Sequence, residues 1–179
     1  MDNDVLTALA GLLAARNDLD REIGRLIDRP MTAGHLGEFI ASRVFGIELE
    51  QSASVRALDG RFGPGPLEGR TVNVKWYLKR EGLLDLTPSD ELDHYLVLTG
   101  PASAAASSRG HVRPWVIANV YLFNARALRQ DLLARGRRVG VASSVRASEW
   151  AAAEAFPREH PLLPLTDAQR RALALFAGA

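Results

Sequence analysis

No cysteine occurs in this chain, which excludes disulfides and thiolate metal sites at once. Lysine is almost as scarce: of 22 basic residues, Lys75 and Lys79 alone are lysines and the rest are arginine. No run of about 18 apolar residues exists, so no transmembrane span is expected. The first residues, MDNDV, lack the basic region of a signal peptide, and a cytoplasmic protein is expected. A formal net charge of +1 neither demands nor excludes nucleic acid. Any DNA-binding surface must therefore come from clustered arginines.

Other chemistries fail on missing patterns. His35, His94, His111 and His160 show no metal-ligand spacing and read as surface or capping residues. Gly63–Pro66 (GPGP) lacks the Lys-Ser/Thr of a phosphate-binding loop. Ser143-Ser144 has no G-x-S-x-G setting, which argues against a serine hydrolase. Internal repeats are absent.

What remains is enough for a core: 47% of the 179 residues are hydrophobic. Residues 4–28 read as a long helix, with leucines and isoleucines at three- and four-residue spacing, stopped by Pro30. It is either a helix packed across the domain or a dimerisation arm. A second helix starts at Thr32, a good N-cap, and ends at Gly46, a C′ glycine. Gly34 and Gly37 allow a close approach to that helix beside Glu38.

Residues 47–62 read as extended or irregular up to an Asp59-Gly60 corner. Residues 70–78 alternate as a half-buried strand does, with Val72, Val74 and Trp76 on one face and Thr71, Asn73, Lys75 and Tyr77 on the other. Residues 90–94 suggest a helical turn, 95–98 a buried strand, and 101–110 a small, polar loop. A strand over 115–123, a helix from Asn124 to Gly136, a short strand over 137–142 and a helical turn over 148–155 follow. Pro157, Pro161 and Pro164 make a stiff connector to a closing helix, which Thr166 and Gln169 cap. The expected architecture is α/β, a mixed sheet of four or five strands flanked by helices. It divides into an N-terminal helix (1–30), a core (31–156) and a C-terminal helical extension (157–179).

The residue types around Val55–Trp76 suit phosphodiester hydrolysis. That reaction needs a divalent ion, and Mg²⁺ takes hard oxygen ligands while keeping several waters. Asp59 offers a carboxylate and Val74 a backbone carbonyl. Lys75 offers a compact charge with an adjustable pKa, which arginine cannot replace. Glu38 is placed for a metal-bound water or a second ion. Arg135, Arg137 and Arg138, with Arg109 and Arg113, form a candidate phosphate-contacting face or, more plainly, solvated charges at a helix end.

A helix with Gly34-x-x-Gly37-Glu38, then Asp59-Gly60, then Asn73-x-Lys75 on a strand resembles the PD-(D/E)XK nuclease superfamily, which includes restriction endonucleases and archaeal Holliday-junction resolvases. The likeness covers roughly residues 32–142. It implies a restriction-endonuclease-like core and a Mg²⁺- or Mn²⁺-dependent endodeoxyribonuclease. It also implies Glu38 as the helix glutamate, Asp59 as the metal-binding aspartate, Asn73 at the acid position and Lys75 as the catalytic lysine. Asn73 departs from the pattern, because an amide ligates through oxygen without bringing charge. Glu68 or Asp85 would then supply the missing carboxylate. The expected partners are DNA and a homodimer through the N-terminal helix, with no membrane. The competing expectation is a catalytically weakened module of the same fold that binds nucleic acid or a protein. A lesser one is a plain interaction module in which Asp59 caps a turn and Lys75 is simply exposed.

Overall fold

The computed structural model describes residues 3–50, 57–102 and 113–178. The chain opens with α1 (Asn3–Ile27) and α2 (Ala33–Phe45). The side chain of Thr32 accepts from the His35 N–H, and Gly46 takes φ 66°, so both ends of α2 are set by local chemistry. Then come β1 (Ile47–Leu49), β2 (Gly60–Phe62), β3 (Thr71–Tyr77), β4 (Leu83–Leu84), β5 (His94–Thr99) and β6 (Asn119–Asn124). The chain closes with α3 (Ala125–Ala134), β7 (Ser143–Ser144), α4 (Ala147–Ala153), β8 (Glu154–Phe156) and α5 (Asp167–Ala174).

Six strands form one mixed sheet in the order β1-β2-β3-β5-β6-β8, and β4 pairs with β7 apart from it. Neighbours are antiparallel except β3 and β5, which run parallel from Val72↔His94 to Tyr77↔Thr99. A parallel pair requires a crossover, and here residues 78–93 provide one that carries β4 in place of a helix. Helices cover both faces. On one side Ile40 and Val44 of α2 and Leu173 of α5 pack with Val72, Val74, Trp76 and Leu96. On the other, Leu128 and Leu132 of α3 and Trp150 of α4 pack with Tyr95, Val97, Tyr121 and Phe123. Covered on both faces, β5 is buried along its whole length. Among the described residues no helix is long and apolar enough to cross a membrane.

The α/β class and the central strands agree with the sequence reading, and several details do not. The sheet has six strands rather than four or five. Ile47–Leu49 pairs with β2, and Glu154–Phe156, expected at the end of a helical turn, pairs with β6. Asp59-Gly60 is no corner: Gly60 begins β2, and Asp59 donates its N–H to the Val72 carbonyl at 3.0 Å. β3 is not half-buried, since Thr71 and Asn73 on its polar face are buried as well. Residues 137–142 form no strand, and Ala142 lies at φ 55°. Residues 90–93 bend without making a helical turn, and Asp93 instead accepts from the Thr71 N–H at 2.9 Å. The strand expected from residue 115 starts at Asn119; Trp115 ahead of it stands edge-on to Trp76. His94 is buried in β5, against the expectation of a surface histidine. Most of the expected 101–110 loop, with Arg109 and His111, lies outside the described residues.

Candidate active site

β3 is longer than β2. The ladder ends at Gly60↔Val72, so Val74 and Trp76 run on past the end of their neighbour. Strand geometry sends the N–H and C=O of Val72, Val74 and Trp76 to the same edge, alternating with those of Asn73 and Lys75. The Asp59 side chain occupies that edge: its Oδ2 accepts the Val74 N–H at 2.7 Å. The Val74 carbonyl opens onto the same side as this carboxylate.

Three charged groups surround Asp59. Burial pushes its carboxyl above the usual value, the Val74 hydrogen bond opposes this, nearby Glu38 raises it further, and Lys75 and Arg29 lower it. Lys75 is perturbed the other way: burial pulls its ammonium down, against the upward pull of Asp59 and Asp85. Its Nζ stands 5.8 Å from the Tyr95 ring centre. Asn73, 7% exposed and on the same strand face as Lys75, has a buried Oδ1 with no hydrogen-bond partner. Such an orphaned acceptor is costly unless something fills the gap.

Glu38 enters from α2. That helix lies close to β3 because position 37 is glycine: a Cβ there would stand 3.0 Å from that of Trp76. The close approach is one of packing and is made at Gly37 alone, since a Cβ at Gly34 would meet only its own helix cap, Thr32 Oγ1, at 3.9 Å. It brings Glu38 within electrostatic reach of Asp59. Arg29, in the link between α1 and α2, donates to Glu38 Oε2 at 2.5 Å. No sequence signal singled Arg29 out, because this pairing joins residues on either side of Pro30.

Asp59 thus bonds the Val74 N–H and interacts electrostatically with Glu38 and Lys75, while Asn73 shares a strand face with Lys75. Asp85 lies near Lys75, but its Oδ1 accepts the Ala142 N–H at 2.8 Å. Glu68 is exposed on the turn before β3 and influences neither Asp59 nor Lys75. Among the described residues no group of three or more His, Asp or Glu side chains could hold a metal ion. Arg135 is not available as a phosphate contact, since it pairs with both Asp131 and Glu149. No model of a known protein family matches the chain, and no curated protein matches it at a significant level.

Proposed function

We propose that the protein is a metal-dependent endonuclease of the PD-(D/E)XK type, hydrolysing DNA phosphodiester bonds at the edge of β3. The observation that carries this reading is the shared edge itself. The Asp59 carboxylate accepts the Val74 N–H there and interacts with the desolvated Lys75, while the unpartnered amide oxygen of Asn73 lies on the same strand face as Lys75.

The donors suit Mg²⁺ or Mn²⁺, being oxygens throughout. Asp59, the Val74 carbonyl and Asn73 Oδ1 would hold the ion. A cation there would offset the burial of Asp59 and give Asn73 the partner it lacks. Glu38 adds negative charge beside Asp59, with one oxygen already held by Arg29. A bound ion supplies the activation of water and the neutralisation of charge on the phosphate that hydrolysis requires. Lys75 Nζ, its basicity tuned by burial, either takes a proton from the attacking water or places positive charge against the phosphate oxygens. Arg29, tethered by Glu38 yet 44% exposed along its side chain, is positioned to meet a backbone phosphate.

A second reading, a nuclease-like module that binds without cutting, is favoured by the uncharged Asn73. One variant separates the two. In supercoiled-plasmid assays the wild type should nick only with Mg²⁺ or Mn²⁺ present. Asn73→Asp should lower the ion concentration for half-maximal nicking roughly ten-fold, because a second carboxylate strengthens the attraction to the cation. Without metal the same variant should melt earlier, as a buried carboxylate gains no partner. With metal it should recover by more than the wild type does. No nicking and no thermal shift in either protein would leave the binding module standing.

A further inference from the structure

We infer that the protein is a homodimer held by an antiparallel pair of α1 helices. Of the α1 side chains described, Ile27 alone is buried. Large apolar residues stand in solvent along the rest: Leu9 is 50% exposed, Leu12 71%, Leu19 59% and Leu26 79%. A continuous apolar face of this extent is an interaction surface in a folded protein.

The pattern identifies the occupant. From Val5 the apolar face advances alternately by four and three residues, through Leu9, Leu12, Arg16, Leu19 and Ile23 to Leu26. That is the a/d seam of a two-stranded coiled coil, with a single charged residue, Arg16, near its middle. Laid antiparallel on a second copy, the seam fits itself. Leu9 meets the partner's Leu26, Leu12 the partner's Ile23 and Arg16 the partner's Leu19, each contact made twice by the two-fold axis. Arg16 then lies beside the partner's Asp20, which flanks the seam, so the one charge in the seam is compensated. Within the chain Arg16 already sits 3.7 Å from Asp20. A parallel pair would instead stack Arg16 on the partner's Arg16, with like charges facing inside the seam and the helix dipoles aligned. The exposed side chains carry on the order of 600 Å² of apolar surface per copy, close to the ~800 Å² per partner of a standard interface.

Self-association through α1 needs nothing from the site around Asp59, so its test is independent of cleavage. Sedimentation equilibrium of the full chain should give twice the chain mass of 19.5 kDa. Leu19→Glu should give the single-chain mass with the melting transition of the α/β core intact. Leu133→Glu, at an exposed leucine of α3, should stay dimeric. The natural chain has no cysteine, so introduced thiols report orientation cleanly. Leu12→Cys mixed with Ile23→Cys should form a disulfide-linked pair on oxidation, while neither does so alone. A wild-type chain that remains single at ~100 µM, or a Leu19→Glu chain that stays double, would overturn the dimer. Ready crosslinking of Leu12→Cys with itself would overturn the antiparallel arrangement.

Discussion

Lys75→Met should leave a protein at least as stable as the wild type at neutral pH, with metal-dependent nicking reduced ~10²- to 10⁴-fold. The stability half follows from the direction of the lysine's shift. Burial lowers the Lys75 pKa from 10.5, so the folded chain holds this proton less tightly than the unfolded one. Stability from this residue therefore rises with pH between the lowered value and 10.5, and is absent below that window. At neutral pH the buried ammonium is a cost, which methionine removes while filling a similar volume. Thermal melts across an alkaline pH series should show the wild type gaining on the variant as pH rises. The activity half follows from position, since Nζ is the cationic group beside Asp59 on the strand face shared with Asn73. Lys75→Arg should be nearly as inactive as the methionine variant, because a planar fork that stays protonated cannot exchange a proton at one compact atom. If nicking by Lys75→Met stayed within about three-fold of wild type, Lys75 would have no part in the chemistry.

Asp59 shifts the opposite way, so burial disfavours the charged form of both groups. The Asp59 pKa is raised above 3.8, so the stability it contributes is present at lower pH and lost as pH rises through the raised value. Near neutrality both charges are held where burial disfavours them, and their mutual attraction only partly compensates. A divalent cation would relieve the carboxylate. Metal-induced stabilisation should accordingly shrink in Asp59→Ala, even though that variant also leaves the Val74 N–H without its acceptor.

The parts of this arrangement visible in the sequence are those fixed by near neighbours or by long apolar runs. Thr32 and Gly46 bound α2 because capping is a matter of a few residues, and β5 is an apolar run with no competing reading. The edge strands β1 and β8 escaped notice because three residues carry almost no pattern; each is a strand because a neighbour offers it a ladder, the equally short β2 for β1 and the longer β6 for β8. Alternation on β3 suggested one wet face, yet α3 and α4 roof that face. Thr71 tolerates burial because its hydroxyl donates to the Glu91 carbonyl at 2.6 Å. Asn73 has no such relief, so its departure from the nuclease pattern, plain in the sequence, gains meaning only in three dimensions. Arg29 and Tyr95, neighbours of the acid and the lysine, were invisible because neither lies near them in the chain.

Gly60→Ala should damage the fold and the site together, and Gly100→Ala should separate the two effects. At Gly60 an added Cβ would stand 2.4 Å from the Glu48 carbonyl oxygen and 2.9 Å from Ile47 Cγ2. Backbone cannot step aside as a side-chain tip does, so β1 and β2 must part or shift. A forced fit of this kind costs about 1–3 kcal/mol, which in a chain of this length lowers Tm by roughly 3–10 °C. Asp59 is the adjacent residue, aligned by its N–H to the Val72 carbonyl and by its own carbonyl to the Glu50 N–H. Any shift of β2 therefore moves the carboxylate away from the Val74 edge, and the metal-induced thermal shift should fall in proportion. At Gly100, beyond the far end of β5, a Cβ would stand 2.0 Å from the Leu78 carbonyl oxygen, an even tighter conflict. Gly100→Ala should thus lose at least as much Tm. Below its melting range, though, it should keep the wild-type ion dependence, since the strand edge at Asp59 is untouched. Equal loss of ion response in both variants would mean that the site reports only global stability. Loss confined to Gly60→Ala would tie metal binding to the placement of β2 against β3.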